Sequence, residues 1–567
     1  MSAPKEKITG ASLLIESLKK QGVRHIFEYP GGSTAPILDE IYRQGEIRSL
    51  VSKHEQGAAH AADGYARASG KVGVCMGTSG PGSSNLITGI TNAYMDSIPM
   101  VAITGQVATW DMKGNAKIRQ KGFQELSITE LVKPVTKLAK LVTQPQDIPS
   151  AVDEAFFVAT EGRPGPVLLD LPINVQYTEV KEDIPQFLFP KSSSCSVSKD
   201  IGIGILERLK KSERPLIVIG GGVLLSHMSQ EVFKWVRELK IPVVETMMGL
   251  DAISSSWELN LGMIGYAGSE ASHIAVKEAD CILVLGSRMD NRAFPLGQNA
   301  FGENVCIIRV DIDTHELHQG IKSEISIASD LRHCIPMLIQ LSSQSSVQEF
   351  YKKKWIERIR CLKEKNDYLR EKSESVIKPF HLLEELSSLL ESSSALIATD
   401  VGQHQLWAAQ FFRFLPKHSF ISSGGLGTMG FGLPAAIGAQ VAKPDSLVVL
   451  ITSEGSLQMN IQELATITNY ELPIKIINFN NRSLGLIRQL QDLAFGGRYQ
   501  STVDRFQVDF CALAKAYQLE AVRIAHPAEI RPKLKEILFN KKATLVDVAI
   551  SFEENVRPIF VKGKIWV

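Results

Sequence analysis

No sign of charge dominates this chain of 567 residues, in which 62 Lys and Arg stand against 61 Asp and Glu. That balance excludes the basic footprint of a nucleic-acid binder and the polybasic patch of a protein held on an acidic membrane. No apolar stretch approaches the roughly 20 residues that a bilayer-spanning helix needs. The opening residues, Met1-Ser2-Ala3-Pro4-Lys5-Glu6-Lys7, lack the apolar run of a signal peptide. Cysteine is sparse, with seven residues scattered at 75, 195, 281, 306, 334, 361 and 511 and no C-x-x-C pair. An odd number at irregular spacing predicts reduced thiols rather than a disulfide framework. The expectation is a cytoplasmic chain with neither nucleic-acid nor membrane partners.

What is present is length and apolar residues. A hydrophobic share of 44% gives several domains a core each. Two polar stretches divide the chain. Ser192-Ser193-Ser194-Cys195-Ser196-Val197-Ser198 follows Pro190, and Ser342-Ser343-Gln344-Ser345-Ser346 leads into a charged, helical segment over 351–373. The three blocks, 1–190, 198–341 and 370–567, alternate β-branched runs with helical patterns. That predicts an α/β fold of three domains, each a parallel sheet covered by helices. Strands are predicted over 71–76, 216–219, 242–245, 281–285, 305–310, 446–451 and 474–479. A helix is predicted from Ser83, after the Gly77-Thr78-Ser79-Gly80-Pro81-Gly82 turn. Another is predicted over 457–470, with Leu457, Ile461, Leu464 and Ile467 as packing residues. Blocks one and three share the layout strand, Gly/Ser turn, helix.

Segment 446–481 carries the most chemistry. Its first strand ends in Ser453-Glu454-Gly455-Ser456 and its second in Asn480-Asn481. Ser453, Gly455 and Ser456 at a helix start offer N–H groups to an anion. Glu454, Asn481 and the Ser483 carbonyl would supply oxygens to a hard cation such as Mg²⁺ bridging to a diphosphate. In block one, Glu55 enters an alanine-rich helix (Ala58, Ala59, Ala61, Ala62, Ala66) that admits another backbone or ring closely. A carboxylate buried there needs a partner.

These motifs resemble those of thiamine diphosphate (ThDP) enzymes, whose Gly-Asp-Gly…Asn-Asn pattern binds Mg²⁺ and diphosphate. Ser453 and Glu454 replace the first glycine and the aspartate. The resemblance spans nearly the whole chain and is closest to acetohydroxyacid (acetolactate) synthase catalytic subunits. It rests also on Tyr29-Pro30-Gly31-Gly32, Lys53-His54-Glu55-Gln56-Gly57, Thr78-Ser79-Gly80-Pro81-Gly82, Gly105-Gln106-Val107, Phe123-Gln124-Glu125, Gly162-Arg163-Pro164-Gly165-Pro166-Val167, Val401-Gly402-Gln403-His404-Gln405 and Gly425-Leu426-Gly427-Thr428-Met429-Gly430.

The resemblance implies doubly wound pyrimidine-binding, FAD-binding and diphosphate-binding domains in that order. Glu55 would share a proton with N1′ of the ThDP aminopyrimidine. Gln124, Phe123 and Gly32 would border the reacting carbons. Pro30, Gly402, Gln403, His404, Gly427 and the apolar wedge Met429 would contact ThDP. Glutamate and diphosphate clamp would come from different subunits, which implies a homodimer or homotetramer; a regulatory subunit is not legible.

Block two resembles the FAD site of that group. Its residues are Gly220, Gly221 and Gly222 after a strand, where close backbone approach is possible, and Thr246, Met247, Met248, Ile264, Gly265, Tyr266, Gly286, Ser287, Arg288, Asp290, Arg292, Asp311, Ile312 and Asp330, with Arg163 reaching over from block one.

Three positions depart from the synthase pattern: Ile173 for the channel lysine, Leu490 for the acceptor-pocket tryptophan and Asn291 for the aspartate before Arg292. The stretch 107–123 is long and carries Lys113, Lys117, Arg119 and Lys121 against Asp111, either as a solvated loop or as a lid for an anionic acceptor. Leu486-Ile487-Arg488-Gln489-Leu490-Gln491-Asp492 and Gly497-Arg498-Tyr499 resemble synthase-like proteins of polysaccharide biosynthesis. The expected activity is decarboxylation of pyruvate and transfer of its two-carbon unit to a second carbonyl, a 2-keto acid. Two alternatives stay open: a keto sugar nucleotide as acceptor, and a non-catalytic ThDP/FAD-binding homologue.

Overall fold

The computed structural model describes the chain except residues 1–7, 181–184, 191–196, 366–371, 416–418, 504, 562–563 and 567. Most of the serine linker and part of the charged segment 351–373 therefore lie outside the described residues. Three six-stranded parallel sheets follow one another. The first comprises β1 (His25–Glu28), β2 (Arg48–Val51), β3 (Gly73–Gly77), β4 (Met100–Gln106), β5 (Leu138–Leu141) and β6 (Pro166–Pro172). The second comprises β7 (Pro215–Ile219), β8 (Val243–Glu245), β9 (Asn260–Met263), β10 (Cys281–Leu285), β11 (Cys306–Asp311) and β12 (Ile325–Ala328). The third comprises β13 (Ala395–Thr399), β14 (Ser419–Ile421), β15 (Leu447–Ser453), β16 (Lys475–Asn480), β17 (Glu520–Ile524) and β18 (Thr544–Ala549). Central strands such as β7, β10 and β13 are buried throughout. Helices cover both faces, so their sequences read as continuous apolar runs rather than alternating ones.

The strand orders explain where ligands can sit. Sheets one and three share one topology, β2-β1-β3-β4-β6-β5 and β14-β13-β15-β16-β18-β17. The central sheet runs β9-β8-β7-β10-β11-β12, the 3-2-1-4-5-6 order of dinucleotide-binding folds. In such sheets a crevice opens beyond the carboxyl ends of the two strands where the order reverses. Those strand pairs are β1/β3, β7/β10 and β13/β15. The motif glycines and Glu454 follow these strands directly.

The first and third domains meet helix to helix. Helix Glu55–Ser69 packs on helix Gly432–Ala442 so closely that a Cβ on Gly438 would stand 1.8 Å from the Ala61 carbonyl oxygen. A Cβ on Gly64 would stand 2.1 Å from that of Ala435. Among the described residues no helix is long and apolar enough to cross a membrane.

Two expectations need correction. The helix predicted over 457–470 is broken into Glu454–Gln458, a 3-10 turn Ile461–Glu463 and Leu464–Asn469. Asn460 leaves helical geometry (φ −136°), and its side-chain amide donates to the Gly430 carbonyl at 2.7 Å. Leu457, Leu464 and Ile467 are buried as expected, while Ile461 is half-buried. The helix expected from Ser83 begins at Pro81, because proline suits the first helical turn.

Candidate functional site

The turn after β15 gives Glu454 an unusual setting. Ser453 caps a helix of only five residues, Glu454–Gln458, and Glu454 is its first residue. Its Oε1 accepts from the Ser483 backbone N–H at 2.8 Å. Its Oε2 is buried and has no protein partner. Burial raises the Glu454 carboxyl from its ordinary value to about 7. Asn481, after β16, accepts from the Ser483 hydroxyl at 3.1 Å and donates to Gln403 Oε1 at 2.9 Å. Asn480 turns the other way and donates to Asp547 at 3.0 Å. A buried carboxylate oxygen without a partner costs free energy unless a cation compensates it. One carboxylate and one amide oxygen are the hard donors that Mg²⁺ takes alongside phosphate oxygens. Among the described residues no group of three or more His, Cys, Asp or Glu could hold a metal, so any cation here depends on such mixed ligands. The residues fit a metal bound to a diphosphate.

Opposite, after β13, Gly402 (φ 153°) opens helix Gln403–Phe411. Gln403 engages both ends of its amide inside the protein, with Asn481, with Gln489 at 2.9 Å and with the Glu554 carbonyl at 3.2 Å. It thus orients Asn481 rather than pointing freely at a ligand. His404 is fully buried, its Nε2 has no partner, and burial lowers its pKa to about 3. The ring is a neutral imidazole. The crevice is spanned by Ser456, whose hydroxyl donates to the Val401 carbonyl at 2.7 Å. Met429 lies beside Gly455: a Cβ there would stand 3.7 Å from its methyl group. Gly427 has φ 71°, a left-handed conformation that glycine adopts without strain.

Asp400, which the motif reading missed, fixes this loop. It accepts from the backbone N–H of Val401, Gly430 and Gly432 at 2.8, 2.8 and 3.0 Å. Burial raises its carboxyl to about 6. Its position at a strand's carboxyl end, one residue ahead of the Val401-Gly402 motif, was the available signal.

In the first domain Glu55 is the first residue of its helix and is buried, capped by His54. Its Oε2 accepts from Asn85 at 2.9 Å, and its Oε1 faces Gly82, where a Cβ would approach to 3.1 Å. Glu463 of the third domain supports this helix start by accepting from the Lys53 N–H at 2.8 Å. Neither Asn85 nor Glu463 belongs to a motif; both were missed. Gln124 has φ 65° and packs on Gly80. Phe123 is 85% exposed, and Pro30 and Gly32 also lie at the surface. Among the described residues no hydrogen bond joins Glu55 to Glu454, Asn481 or Gln403.

The central sheet opens on a cleft of about 1700 Å³ beyond the β7/β10 switch point. Its enclosed part, about 350 Å³, falls within the usual small-ligand range of about 300–1,000 Å³, and the rest opens to solvent. Sixteen of the predicted residues line it: Gly221, Gly222, Thr246, Met247, Met248, Ile264, Tyr266, Gly286, Ser287, Arg288, Asp290, Arg292, Asp311, Ile312, Asp330 and Arg163. Gly220 and Gly265 stand behind the lining. Side chains on Gly220 or Gly222 would strike Gly286, at 2.2 and 2.7 Å, so the turns after β7 and β10 pack backbone against backbone there. Arg163 bridges from the first domain to Asp313 and Glu316 at 2.9 Å each. Asp311 is half-buried at the end of β11, and its desolvation raises its carboxyl. Asp330 caps helix Leu331–Ser342 and pairs with Arg332 at 2.6 Å. Arg292 does not project freely. It donates to the Gly424 carbonyl at 2.7 Å and to Gln405 at 3.0 Å.

The departures from the synthase pattern settle separately. Leu490 packs against the third domain's core, Asn291 is exposed, and Ile173 starts a short helix, half-buried. The basic stretch is a folded loop drawn around Glu125, which accepts from the backbone N–H of Lys113 at 2.5 Å and of Lys121 at 2.7 Å. Lys117 and Arg119 remain exposed on it. Arg488 is buried against Asp492 at 2.7 Å and the Glu554 carbonyl at 2.8 Å, a structural role.

Comparisons with known proteins agree with this geometry. Models of the N-terminal, central and C-terminal domains of thiamine pyrophosphate enzymes match residues 8–131, 204–338 and 400–548. The probable acetolactate synthase large subunit of Methanocaldococcus jannaschii is 40% identical over 554 residues, covering 95% of this chain and 92% of the relative. The isozyme 3 large subunit of Escherichia coli is 37% identical, covering 98% of this chain and 97% of the relative. That of Lactococcus lactis is 38% identical, covering 98% and 95%. The chain belongs to the thiamine pyrophosphate enzymes and, within them, to the family of acetolactate synthase large subunits.

Proposed function

We propose that this protein is a ThDP- and Mg²⁺-dependent carboligase that decarboxylates pyruvate and joins its two-carbon unit to a second pyruvate, giving 2-acetolactate. The observation that carries the reading is Glu454: buried at a switch-point crevice, one oxygen bound to Ser483 and the other without a protein partner. Bound there, ThDP supplies a nucleophilic carbon and an electron sink for decarboxylation.

The chain's own residues do the rest. Glu454, Asn481 and the Ser483 carbonyl hold the metal, with Asn481 oriented by Gln403. Neutral His404 and the Gly402 and Gly455 backbone border the diphosphate. Met429, held through Asp400, is the apolar support of the cofactor. Glu55, kept in place by Asn85, exchanges a proton with the aminopyrimidine as a general acid–base. Gln124, Phe123 and Gly32 border the reacting carbons.

Phe123 is exposed in the chain, and among the described residues no hydrogen bond joins Glu55 to Glu454, Asn481 or Gln403. Both facts support a site completed by a second copy, so a homodimer or a dimer of dimers is part of the proposal. So are FAD in the central cleft, a cytoplasmic location and, as the large-subunit names of the relatives suggest, a smaller regulatory partner.

The test is titration of ThDP with and without Mg²⁺, followed by an acetolactate assay with pyruvate. Metal-dependent binding and acetolactate formation are expected. Pyruvate consumption only in the presence of a nucleotide-linked keto sugar would replace the acceptor, and absence of ThDP binding would remove the enzyme reading.

A further inference from the structure

The peptide at Gly424 is where all three domains meet. Its N–H and that of Gly425 donate to Asp96 of the first domain, at 3.1 and 2.6 Å. Its carbonyl accepts from Arg292 of the central domain at 2.7 Å. Asp96, Arg292, Gly424 and Gly425 all line the dinucleotide cleft. The same loop continues to Met429 and to Gly430, which Asp400 holds at its far end.

Asp96 is itself part of a buried charge network. Its Oδ2 pairs with Arg67 at 2.8 Å, and Arg67 pairs with Asp63 at 2.5 Å. Asn92 donates to Asp63 at 3.0 Å and accepts from Ser423 at 2.6 Å and Thr428 at 3.2 Å. The Ser423 hydroxyl in turn accepts from the N–H groups of Gly427 and Thr428, at 3.1 and 3.0 Å. One carboxylate thus accepts from two successive backbone amides while a buried arginine fixes its orientation. Hydrogen bonds to an ionised group are stronger than neutral ones, and desolvation strengthens them further. The loop also has no slack toward Asp96, because a Cβ on Gly425 would stand 2.9 Å from Asp96 Oδ1.

We propose that Asp96 is the positioning residue of the 423–430 loop. From the wall of the dinucleotide cleft, it sets where Met429 stands in the ThDP site. The ThDP part of this inference rests on the function proposed above; the anchoring part does not. Among the described residues Asp96 makes no hydrogen bond to Glu454, Asn481 or Glu55; its other anchor is Arg67 on helix Glu55–Ser69, and the loop is its route to the ThDP site.

The test uses full-length Asp96→Asn and Gly425→Ala. The first neutralises the acceptor, and the second pushes the loop off an intact Asp96–Arg67 pair. Two readouts are taken, Mg²⁺-dependent ThDP binding by tryptophan fluorescence and amide hydrogen exchange over 423–430 without cofactor. The expected result is exchange faster by roughly tenfold or more over that loop, and ThDP affinity weakened by roughly tenfold, in both variants. Helix Glu55–Ser69 and the central domain should exchange as in the parent protein. A role in general stability alone would lower the melting temperature and leave the folded protein's ThDP affinity unchanged, which would overturn the proposal. Should Asp96→Asn fail to fold, Gly425→Ala decides on the same readouts. Should the parent protein bind no ThDP, the cofactor reading falls, and hydrogen exchange alone decides whether Asp96 anchors the loop.

Discussion

Ser483 donates its backbone N–H to Glu454 Oε1 at 2.8 Å, while Glu454 Oε2, equally enclosed, receives no protein donor. The side chain is half satisfied by the fold, and its unmet oxygen is buried without a partner. Such a group is costly to the empty protein and useful to the loaded one.

Glu454→Gln should therefore separate stability from binding. The empty protein should keep or slightly raise its melting temperature, because a buried, half-partnered carboxylate is replaced by a neutral amide. Mg²⁺-dependent ThDP affinity should fall by about tenfold or more. Calorimetry of the cofactor-free protein beside a ThDP titration checks both; unchanged affinity would take Glu454 out of the metal site.

Glu55→Gln keeps the shape of the helix start and the Asn85 contact but removes the acid–base group. Turnover should drop by about 100-fold or more, with the melting temperature unchanged. Steady-state rates with saturating cofactor measure this, and near-parental turnover would remove Glu55 from its role.

The interface between the first and third domains is steric. Gly438→Ala places a methyl group 1.8 Å from the backbone oxygen of Ala61, and helix backbone cannot yield as a flexible side chain does. A destabilisation of about 1–3 kcal/mol is expected from the overpacking, read as a lower midpoint in urea unfolding.

Asp170 supplies a pH dependence remote from the site. It is buried on β6, accepting from Thr104 at 2.7 Å and Gln106 at 2.9 Å. Burial raises its carboxyl from an ordinary 3.8 to about 7. An acid with a raised native pKa favours the folded state in its protonated form. Its contribution is complete below about pH 4 and is lost as pH rises through about 7. Asp170→Asn stays neutral throughout, so between pH 5 and 8 its stability should rise relative to the parent by about 2–3 kcal/mol. Urea midpoints at the two pH values measure the difference.

The proximity of Glu454 and Asn481 was readable before the fold because the two are close in sequence. Glu454 and Asn481 end neighbouring strands of strongly apolar sequence, and Gly402 follows a third. The central sheet was equally open to reading, since buried parallel strands announce themselves as runs such as Cys281–Leu285. The break at Asn460 was hidden because Leu457, Leu464 and Ile467 keep helical spacing across it, while the contact that causes it, to Gly430, lies 30 residues away. Asp96 was invisible for the same reason on a larger scale: it meets Gly424 across 328 positions. The hydrogen bond that commits Gln403 to Asn481 is a tertiary fact, spanning 78 positions. Phe123 is exposed in the chain, and its sequence neighbourhood did not indicate that.

The most direct measurement is product balance. Purified protein with ThDP, Mg²⁺, FAD and pyruvate should release one CO₂ for each acetolactate formed and two pyruvates consumed, and Glu55→Gln should abolish both. Pyruvate turnover without acetolactate, or acetolactate formation untouched by Glu55→Gln, would contradict the assignment.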